Sequence, residues 1–263
     1  MVQSTVNVYT VGGYSEVGKN MTVVEYEDDA FIFDIGFYLP AIVSMQERDQ
    51  VVTEKRLRAV EAIPDDTFIK KIRHKVCAQF IGHAHLDHVG GIPYMSDKYN
   101  APLYGTPYTM QILNSLLADN DIVLKNNTYS VKVNTSFYVK GKKRKYRVDF
   151  INMTHSTAET VMVALHTPKG VILYGNDYKL DDSPVHGAKP NYKVLRDIAK
   201  EGVLLAIIDS LYAGTDRKTP SEKIARELLK EVMFTIQNKN SALIVTTFSS
   251  HIARLTSIME LGK

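Results

Sequence analysis

The chain has 263 residues, of which 44% are hydrophobic and 23% charged, with a formal net charge of +3 and a pI near 8.7. This length and composition can bury a sizeable core, so we expect one large domain or two smaller ones. The mildly basic charge permits an anionic substrate without requiring one. No apolar run reaches the roughly 20 residues that span a bilayer, and the N-terminus lacks a signal-peptide pattern, so neither membrane insertion nor export is indicated.

The number of cysteines helps to indicate the cellular compartment. The single cysteine, Cys77, lies in an apolar strand pattern and can form no internal disulfide. A chain without disulfides suits a reducing cytoplasm. We therefore expect a cytoplasmic protein in which Cys77 has a packing role.

The first part of the chain predicts three consecutive antiparallel strands. Residues 6–11, 21–26 and 30–34 are short runs of β-branched and aromatic residues, separated by a glycine pair and an acidic turn. Asp34 ends the third strand, where its carboxylate either orients a neighbouring loop by hydrogen bonding or is a solvated turn residue. The sequence leaves both explanations open. Residues 38–73 lack a regular period, which predicts a loop with a short helix.

The next strand ends in a concentration of metal-binding residue types. Residues 75–81 predict a buried strand, and the motif HxHxDH follows it almost directly. Side chains two apart in an extended segment point the same way, so His83 and His85 can bind one ion. Asp87 and His88 follow where the chain turns and can face a second ion, which predicts a two-metal site for hydrolysis. A lone histidine is more often structural, but four ligand types at this spacing favour a metal.

The middle of the chain predicts a capped helix and a basic hairpin. Thr106 can cap a helix whose first residue is Pro107. Two strands follow around residues 140–147, and the turn between them carries several like charges. A solvated turn explains these charges, and a contact with an RNA backbone is the alternative.

Two further ligand types fall at predicted strand ends. A strand at residues 148–153 is followed by His155, and a strand at residues 171–177 ends in Asp177. Both strand ends should reach the edge of the sheet where the HxHxDH motif lies. There His155 gives the first ion a third ligand, and Asp177 can bridge both ions because a carboxylate has two oxygens.

The last part of the chain predicts further helices and strands. Residues 190–201 predict an amphipathic helix, and residues 203–210 a buried strand. Thr219 and the proline and glutamate after it predict the capped start of a helix that reaches residue 236. Residues 242–248 predict another buried strand, followed by a helical pattern that stops midway at the last residue. We therefore expect a piece of a longer protein.

Together these motifs resemble the archaeal type of the ribonuclease J family, in the β-CASP subgroup of the metallo-β-lactamase superfamily. HxHxDH is the superfamily signature. Residues 12–21 resemble the family opening GGxxEIGKNM, and residues 34–36 resemble its strand-end aspartate motif. Residues 154–156 and 175–179 match its later metal motifs, and residues 245–255 resemble a segment early in its β-CASP insert. The resemblance covers essentially the full chain.

The resemblance implies an α/β fold with two parts. Residues 1–209 would form the four-layer αββα sandwich of metallo-β-lactamases, and residues 210–263 the beginning of a β-CASP domain. A later part, which in relatives brings a last metal-binding histidine and much of a 5′-phosphate pocket, is absent from this sequence. We therefore expect the 263 residues alone to lack a complete second-metal site and to be inactive.

The resemblance also implies a cofactor and residue roles. Two Zn²⁺ ions are expected, with Mn²⁺ or Mg²⁺ as alternatives. The first ion would bind His83, His85 and His155, and the second Asp87 and His88, with Asp177 as the bridge. Asp87 and His88 are the expected catalytic residues, and Asp34 would support the site from outside. Glu159 departs from the aspartate of the family motif, so we expect a shifted role there.

The implied activity is hydrolysis of single-stranded RNA from 5′ to 3′, with a preference for 5′-monophosphate ends and internal cleavage in some relatives. RNA would run between the two domains and contact Ser249, Ser250 and His251. A homodimer is expected by analogy, and no membrane partner. Two alternatives remain open: a small-molecule hydrolase of the same superfamily, acting on thioesters or lactones, and a non-catalytic RNA-binding subunit.

Overall fold

Two mixed β-sheets pack face to face in a computed structural model of the chain, which describes residues 5–46, 52–235 and 242–263. The first sheet has six strands in chain order, with β1 to β3 antiparallel and β3 to β6 parallel. Its strands are β1 Val6–Gly12, β2 Met21–Tyr26, β3 Asp29–Phe33, β4 Val76–Phe80, β5 Leu103–Gly105 and β6 Thr128–Ser130.

The second sheet has five strands in the order β11, β10, β9, β8, β7. All neighbours are antiparallel except β10 and β11. Its strands are β7 Thr135–Lys140, β8 Lys145–Asn152, β9 Val161–Thr167, β10 Gly170–Tyr174 and β11 Val203–Ile207. The helices are α1 Leu39–Gln46, α2 Glu54–Ala59, α3 Leu86–Val89, α4 Ile92–Met95, α5 Pro107–Asp119, α6 Tyr192–Glu201, α7 Glu222–Thr235 and α8 Ile252–Leu261.

Aromatic side chains fill the space between the sheets. Phe33 and Phe80 of the first sheet meet Phe150 and Tyr174 of the second, and the rings of Phe33 and Tyr174 lie 5.0 Å apart. The central strands β2, β3 and β9 are buried along most of their length because helices cover the outer side of each sheet. The layers therefore run helix, sheet, sheet, helix, which confirms the predicted four-layer αββα sandwich.

Elements in the first 209 residues largely follow the sequence pattern. Thr106 caps α5 by accepting a hydrogen bond from the N–H of Thr109, and Pro107 is the first helical residue, as predicted. The segment at 38–73, predicted as a loop with a short helix, contains α1, α2 and a 3₁₀ turn at Lys70–Lys75. Among the described residues, no helix is long and apolar enough to cross a membrane.

Two strand predictions in the C-terminal part are wrong. Residues 242–248 are apolar enough for a strand, but they form none and are exposed. The predicted strand at 203–210 does form, as β11, but it is not buried, and Leu204 is 50% exposed. The physical reason is its place in the sheet. Among the described strands β11 pairs with β10 alone, so its other edge faces outward.

The predicted start of α7 is also wrong. The helix begins at Glu222 rather than directly after Thr219, and the hydroxyl of Ser221 accepts the N–H of Lys223. The carboxylate of Glu222 was expected to turn back onto its own helix. It instead accepts a hydrogen bond of 2.6 Å from Nε of Arg254 on α8.

The basic hairpin between β7 and β8 contacts the acidic turn between β2 and β3. Nη2 of Arg144 lies 2.7 Å from a carboxylate oxygen of Glu27, and Nζ of Lys143 lies 2.6 Å from one of Asp28. Cations that pair within the fold are less available to phosphates. Of the two explanations left open by the sequence, a solvated turn and an RNA contact, this pairing counts against an RNA contact by these two side chains.

Backbone contacts hold the HxHxDH loop against the end of β3. The N–H of Ile35 donates to the carbonyl of His88 over 2.9 Å, and the N–H of Gly91 donates to the carbonyl of Ile35 over 2.8 Å. Gly36 lies so close that a Cβ there would overlap the carbonyl oxygen of Asp87. A residue without a side chain is thus required where the strand and the loop meet.

We expect Gly36→Ala to push the loop away from β3. The substitution should lower the free energy of unfolding by about 1–3 kcal/mol, the usual cost of overpacking, and weaken divalent-metal binding. Urea unfolding and metal titration measure the two effects. Gly214→Ala is the matched control, because a Cβ there has nothing within 4 Å. Equal stability and metal affinity in the two variants would contradict the expectation.

Candidate metal centre

Three histidines converge at the ends of two strands. His83 and His85 follow β4, and His155 follows β8. Nε2 of His83 lies 3.1 Å from Nδ1 of His85, and Nε2 of His155 lies 3.2 Å from the same atom. Nitrogen ligands of a tetrahedral Zn²⁺ are about 3.3 Å apart, so this spacing suits a single ion. Oδ2 of Asp177 lies 3.8 Å from Nε2 of His155 and supplies a fourth ligand atom.

A second cluster lies beside the first. Nε2 of His88 is 3.5 Å from a carboxylate oxygen of Asp87 and 3.5 Å from one of Asp177. Within each cluster the ligand atoms lie within 4.8 Å of one another, and Asp177 belongs to both. The structure thus brings together the six residues selected as ligands from the sequence.

Asp34 supports the second cluster from behind. Its carboxylate is buried, and Oδ2 lies 2.7 Å from Nδ1 of His88. The same oxygen accepts a hydrogen bond from the hydroxyl of Tyr174, and Oδ1 accepts one from the N–H of Gly82, both over 2.8 Å. Of the two explanations open from the sequence, a solvated turn residue is therefore wrong. Nδ1 of His88 faces Asp34, so Nε2 faces the cluster, which is the usual arrangement of a metal-binding histidine.

Two residues at the site were not selected from the sequence. Tyr174 is one, and nothing marks it beyond its place at the end of the strand before Asp177. Asn20 is the other. Its Nδ2 donates to the backbone oxygen of Asp87 over 3.0 Å and lies 3.1 Å from Nε2 of His88. Asn20 lies in residues 12–21, which resemble the opening motif of the family, but the sequence predicted no role for it.

The electrostatics favour a cation. Burial holds the pKa of His83 well below its ordinary value, and burial together with His85 lowers the pKa of His155 to about 4. Both imidazoles are then neutral at pH 7, as ligands must be. Burial alone would raise the pKa of Asp177, but His88 outweighs it and lowers that pKa to about 2.

The pKa of His88 shifts in the opposite direction from that of the other two histidines. Burial alone would lower its pKa, but the carboxylates of Asp34, Asp177 and Asp87 outweigh burial and raise the pKa well above its ordinary value. The proton held there neutralises a concentration of negative charge, a task that a divalent cation would take over. The donor set of nitrogen and carboxylate oxygen suits Zn²⁺ and Mn²⁺. The residues therefore fit a two-metal centre.

The predicted RNA contacts differ in their surroundings. Burial lowers the pKa of His85, and the backbone of Ser250 acts in the opposite direction, so this segment lies near the metal centre. Nδ1 of His251 accepts the N–H of Arg254 and caps α8, and Ser249 is exposed. Glu159, where a shifted role was expected, accepts the N–H of Tyr108 over 2.8 Å and thereby caps α5.

A cleft of about 1140 Å³ opens beside the two clusters. The glycine-rich loop before β2 forms one wall, and the first turns of α7 and α8 form the other. Its lining includes the ligands Asp87, His155 and Asp177 and the cations Lys179, Lys218 and Arg254. The candidate metal ligands therefore line a groove whose walls carry both cationic and acidic side chains.

Comparison with known proteins identifies the family. No family model matches the chain. Ribonuclease J of Methanocaldococcus jannaschii is 37% identical over 259 residues, which are 97% of this chain and 57% of that protein. The chain belongs to the ribonuclease J family. Ribonuclease J of Pyrococcus abyssi is 37% identical over 98% of this chain and 56% of that protein. Ribonuclease J of Synechocystis is 30% identical over 97% of this chain and 37% of that protein.

The chain spans little more than half the length of the two ribonuclease J proteins at 37% identity. The fold recurs in a crystal structure of a protein of unknown function from Enterococcus faecalis V583. It has a TM-score of 0.65 and 18% identity, over 98% of this chain and 63% of that protein. Membership of the ribonuclease J family, together with the αββα layers, confirms the predicted fold class.

We expect the ligands to act in two sets with one shared member. The metal-free complete protein, titrated with Zn²⁺ in a calorimeter, should bind two ions. His85→Ala should lose the first ion and Asp87→Ala the second, whereas Asp177→Ala should weaken both, because only Asp177 belongs to both clusters. Asp197→Ala, which removes an exposed carboxylate paired with Lys193, is the control. Independent loss of a single ion in Asp177→Ala would contradict a shared ligand.

Asp34 should affect one ion more than the other. Asp34→Ala removes the acceptor that orients His88, and loss of such a partner costs about 10- to 100-fold in metal affinity. We expect this loss at the second ion, with the first little changed. Tyr174→Phe removes one of the hydrogen bonds to Asp34 and should have a smaller effect of the same kind. Equal losses at both ions in Asp34→Ala would show that the support is not specific to His88.

Proposed function

We propose that this chain carries the two-metal centre of a ribonuclease that hydrolyses RNA phosphodiester bonds. One observation carries the proposal. Six ligand-type residues from separate strand ends meet in two clusters that share Asp177, in a member of the ribonuclease J family. We further propose Zn²⁺ as the resident ion, with Mn²⁺ or Mg²⁺ as alternatives. His83, His85 and His155 would hold one ion, Asp87 and His88 the other.

The two cations would lower the pKa of a water molecule toward neutrality and offset the negative charge on the phosphate. The protein would supply orientation. Asp34 holds Nδ1 of His88, so that Nε2 faces the cluster. Asn20 holds the backbone of Asp87 in place. Neutral His83 and His155 present lone pairs without a proton to displace, and ionised Asp177 presents one carboxylate to both clusters.

The cleft favours a polymeric substrate over a small molecule. Its volume of about 1140 Å³ extends well beyond the metal ligands. Lys218 on its wall can contact a phosphate backbone. Exposed Tyr14 and Tyr212 also line it, and aromatic rings stack on unpaired bases. Single-stranded RNA fits this combination.

Family analogy extends the proposal to the complete protein. We propose 5′ to 3′ exonuclease action that favours 5′-monophosphate ends, in a cytoplasmic homodimer. The proposed division places a metallo-β-lactamase domain at residues 1–209 and the beginning of a β-CASP domain at 210–263. In that arrangement Ser249, Ser250 and His251 would contact RNA beside the ions.

The test is cleavage of a 5′-labelled, 5′-monophosphorylated single-stranded RNA by the complete protein, with metal content measured in the same sample. Release of labelled mononucleotide is expected. The double variant Asp87→Ala, His88→Ala should reduce the rate at least about 100-fold, because two of the three residues in the second cluster are lost. Asp197→Ala serves as the surface control.

Other outcomes of this test would favour a different function. Labelled internal fragments in place of mononucleotide would replace exonuclease by endonuclease action. Bound zinc with RNA left intact would favour the small-molecule hydrolase. Neither metal nor cleavage, but RNA binding, would favour the non-catalytic subunit.

A further inference from the structure

Asp181 joins the loop after Asp177 to the start of α7. Its side chain is buried, with 3% of the residue exposed. Oδ1 accepts a hydrogen bond of 2.6 Å from the hydroxyl of Ser221, and Oδ2 accepts one of 2.8 Å from the N–H of Glu222. A carboxylate at this position satisfies free N–H groups and interacts favourably with the helix dipole. The helix is thus capped by a residue 41 positions away from Glu222.

The other side of Asp181 is fixed to the ligand-bearing loops. Its N–H donates to Oγ1 of Thr154 over 3.2 Å, and the N–H of Lys179 donates to the carbonyl of Thr154 over 2.7 Å. Thr154 directly precedes the ligand His155, and the ligand Asp177 lies four residues before Asp181. The group that caps α7 is therefore held by the same two loops that deliver metal ligands.

The contacts continue from α7 to α8. Glu222, at the start of α7, accepts 2.6 Å and 3.3 Å hydrogen bonds from Nε and Nη2 of Arg254. Arg254 lies in the first turn of α8. A path of contacts thus leads from the loop after Asp177, through Asp181, to both helices on the far wall of the cleft.

We propose that Asp181 is a positioning residue, whose cap on α7 fixes the far wall of the cleft relative to the metal centre and thereby sets the site in which RNA binds. This inference rests on the proposed function. Loss of the carboxylate leaves the N–H of Glu222 without its acceptor, whereas the hydroxyl of Ser221 can still donate to the carbonyl of Ser183. The first turn of α7 then opens, and the Glu222 to Arg254 pair no longer holds α8. The metal ligands themselves keep their contacts.

The experiment compares Asp181→Ala with Asp182→Ala in the complete protein. Asp182 is the matched control because it is the adjacent aspartate and is exposed. Hydrogen exchange at the amides of residues 222–226 should be about five- to tenfold faster in Asp181→Ala, the effect of a lost cap. Zn²⁺ stoichiometry should be unchanged. KM for the 5′-monophosphorylated RNA should rise by a similar factor, with kcat within about twofold of the parent.

Asp181→Asn provides the conservative rescue. Its amide oxygen can still accept the N–H of Glu222, so exchange and KM should recover part of the way to the parent values. If Asp181→Ala fails to fold, as judged by circular dichroism, Asp181→Asn is compared with Asp182→Ala instead.

Three results would overturn the proposal. Unchanged exchange at residues 222–226 in both Asp181 variants would show that Asp181 does not hold α7. Faster exchange with an unchanged KM would show that α7 does not set the RNA site. Loss of Zn²⁺ in both variants would make Asp181 a general structural residue. A parent protein that binds Zn²⁺ but neither binds nor cleaves RNA would instead refute the proposed function, while the exchange comparison would still test the cap.

Discussion

One buried carboxylate joins the parts on which the metal centre depends. Asp34 follows β3, adopts a left-handed conformation at φ 58°, and accepts hydrogen bonds from the loop after β4 and from Tyr174 of the other sheet. Aspartate tolerates this conformation better than most residues. Its remaining contact, with Nδ1 of His88, orients that histidine. The same side chain therefore links the two sheets and orients a candidate ligand of the site.

The sandwich explains why the ligands meet. His83 and His85 follow a strand of the first sheet, whereas His155 and Asp177 follow strands of the second. Aromatic packing between the sheets, such as the contact of Phe33 with Tyr174, brings these strand ends to a common edge. Each ligand then needs only a short loop beyond its strand. The position of the centre thus follows from the core, and the cleft adds a second wall from α7 and α8.

Features that depend on residues close together in the chain could be predicted from the sequence. The six ligands could be selected because each lies at the end of an apolar strand pattern. Asn20 and Tyr174 could not, since their roles arise from contacts with Asp87 and Asp34 that lie 67 and 140 positions away. The cap of α7 was misplaced for the same reason, because Asp181 is distant in sequence. Residues 242–248 have strand composition, but a strand also requires a neighbouring strand, and composition does not supply one.

Sharing one carboxylate between two clusters has a thermodynamic consequence. An ion in one cluster would polarise Asp177 and fix its orientation, and it would also repel a cation in the other cluster. These effects oppose each other, and their sum is a coupling free energy between the two sites. By linkage, the factor by which the first ion changes the affinity for the second equals the factor in the reverse direction. Two ions held through Asp177 would therefore load as a coupled pair, with positive or negative cooperativity according to which effect is larger.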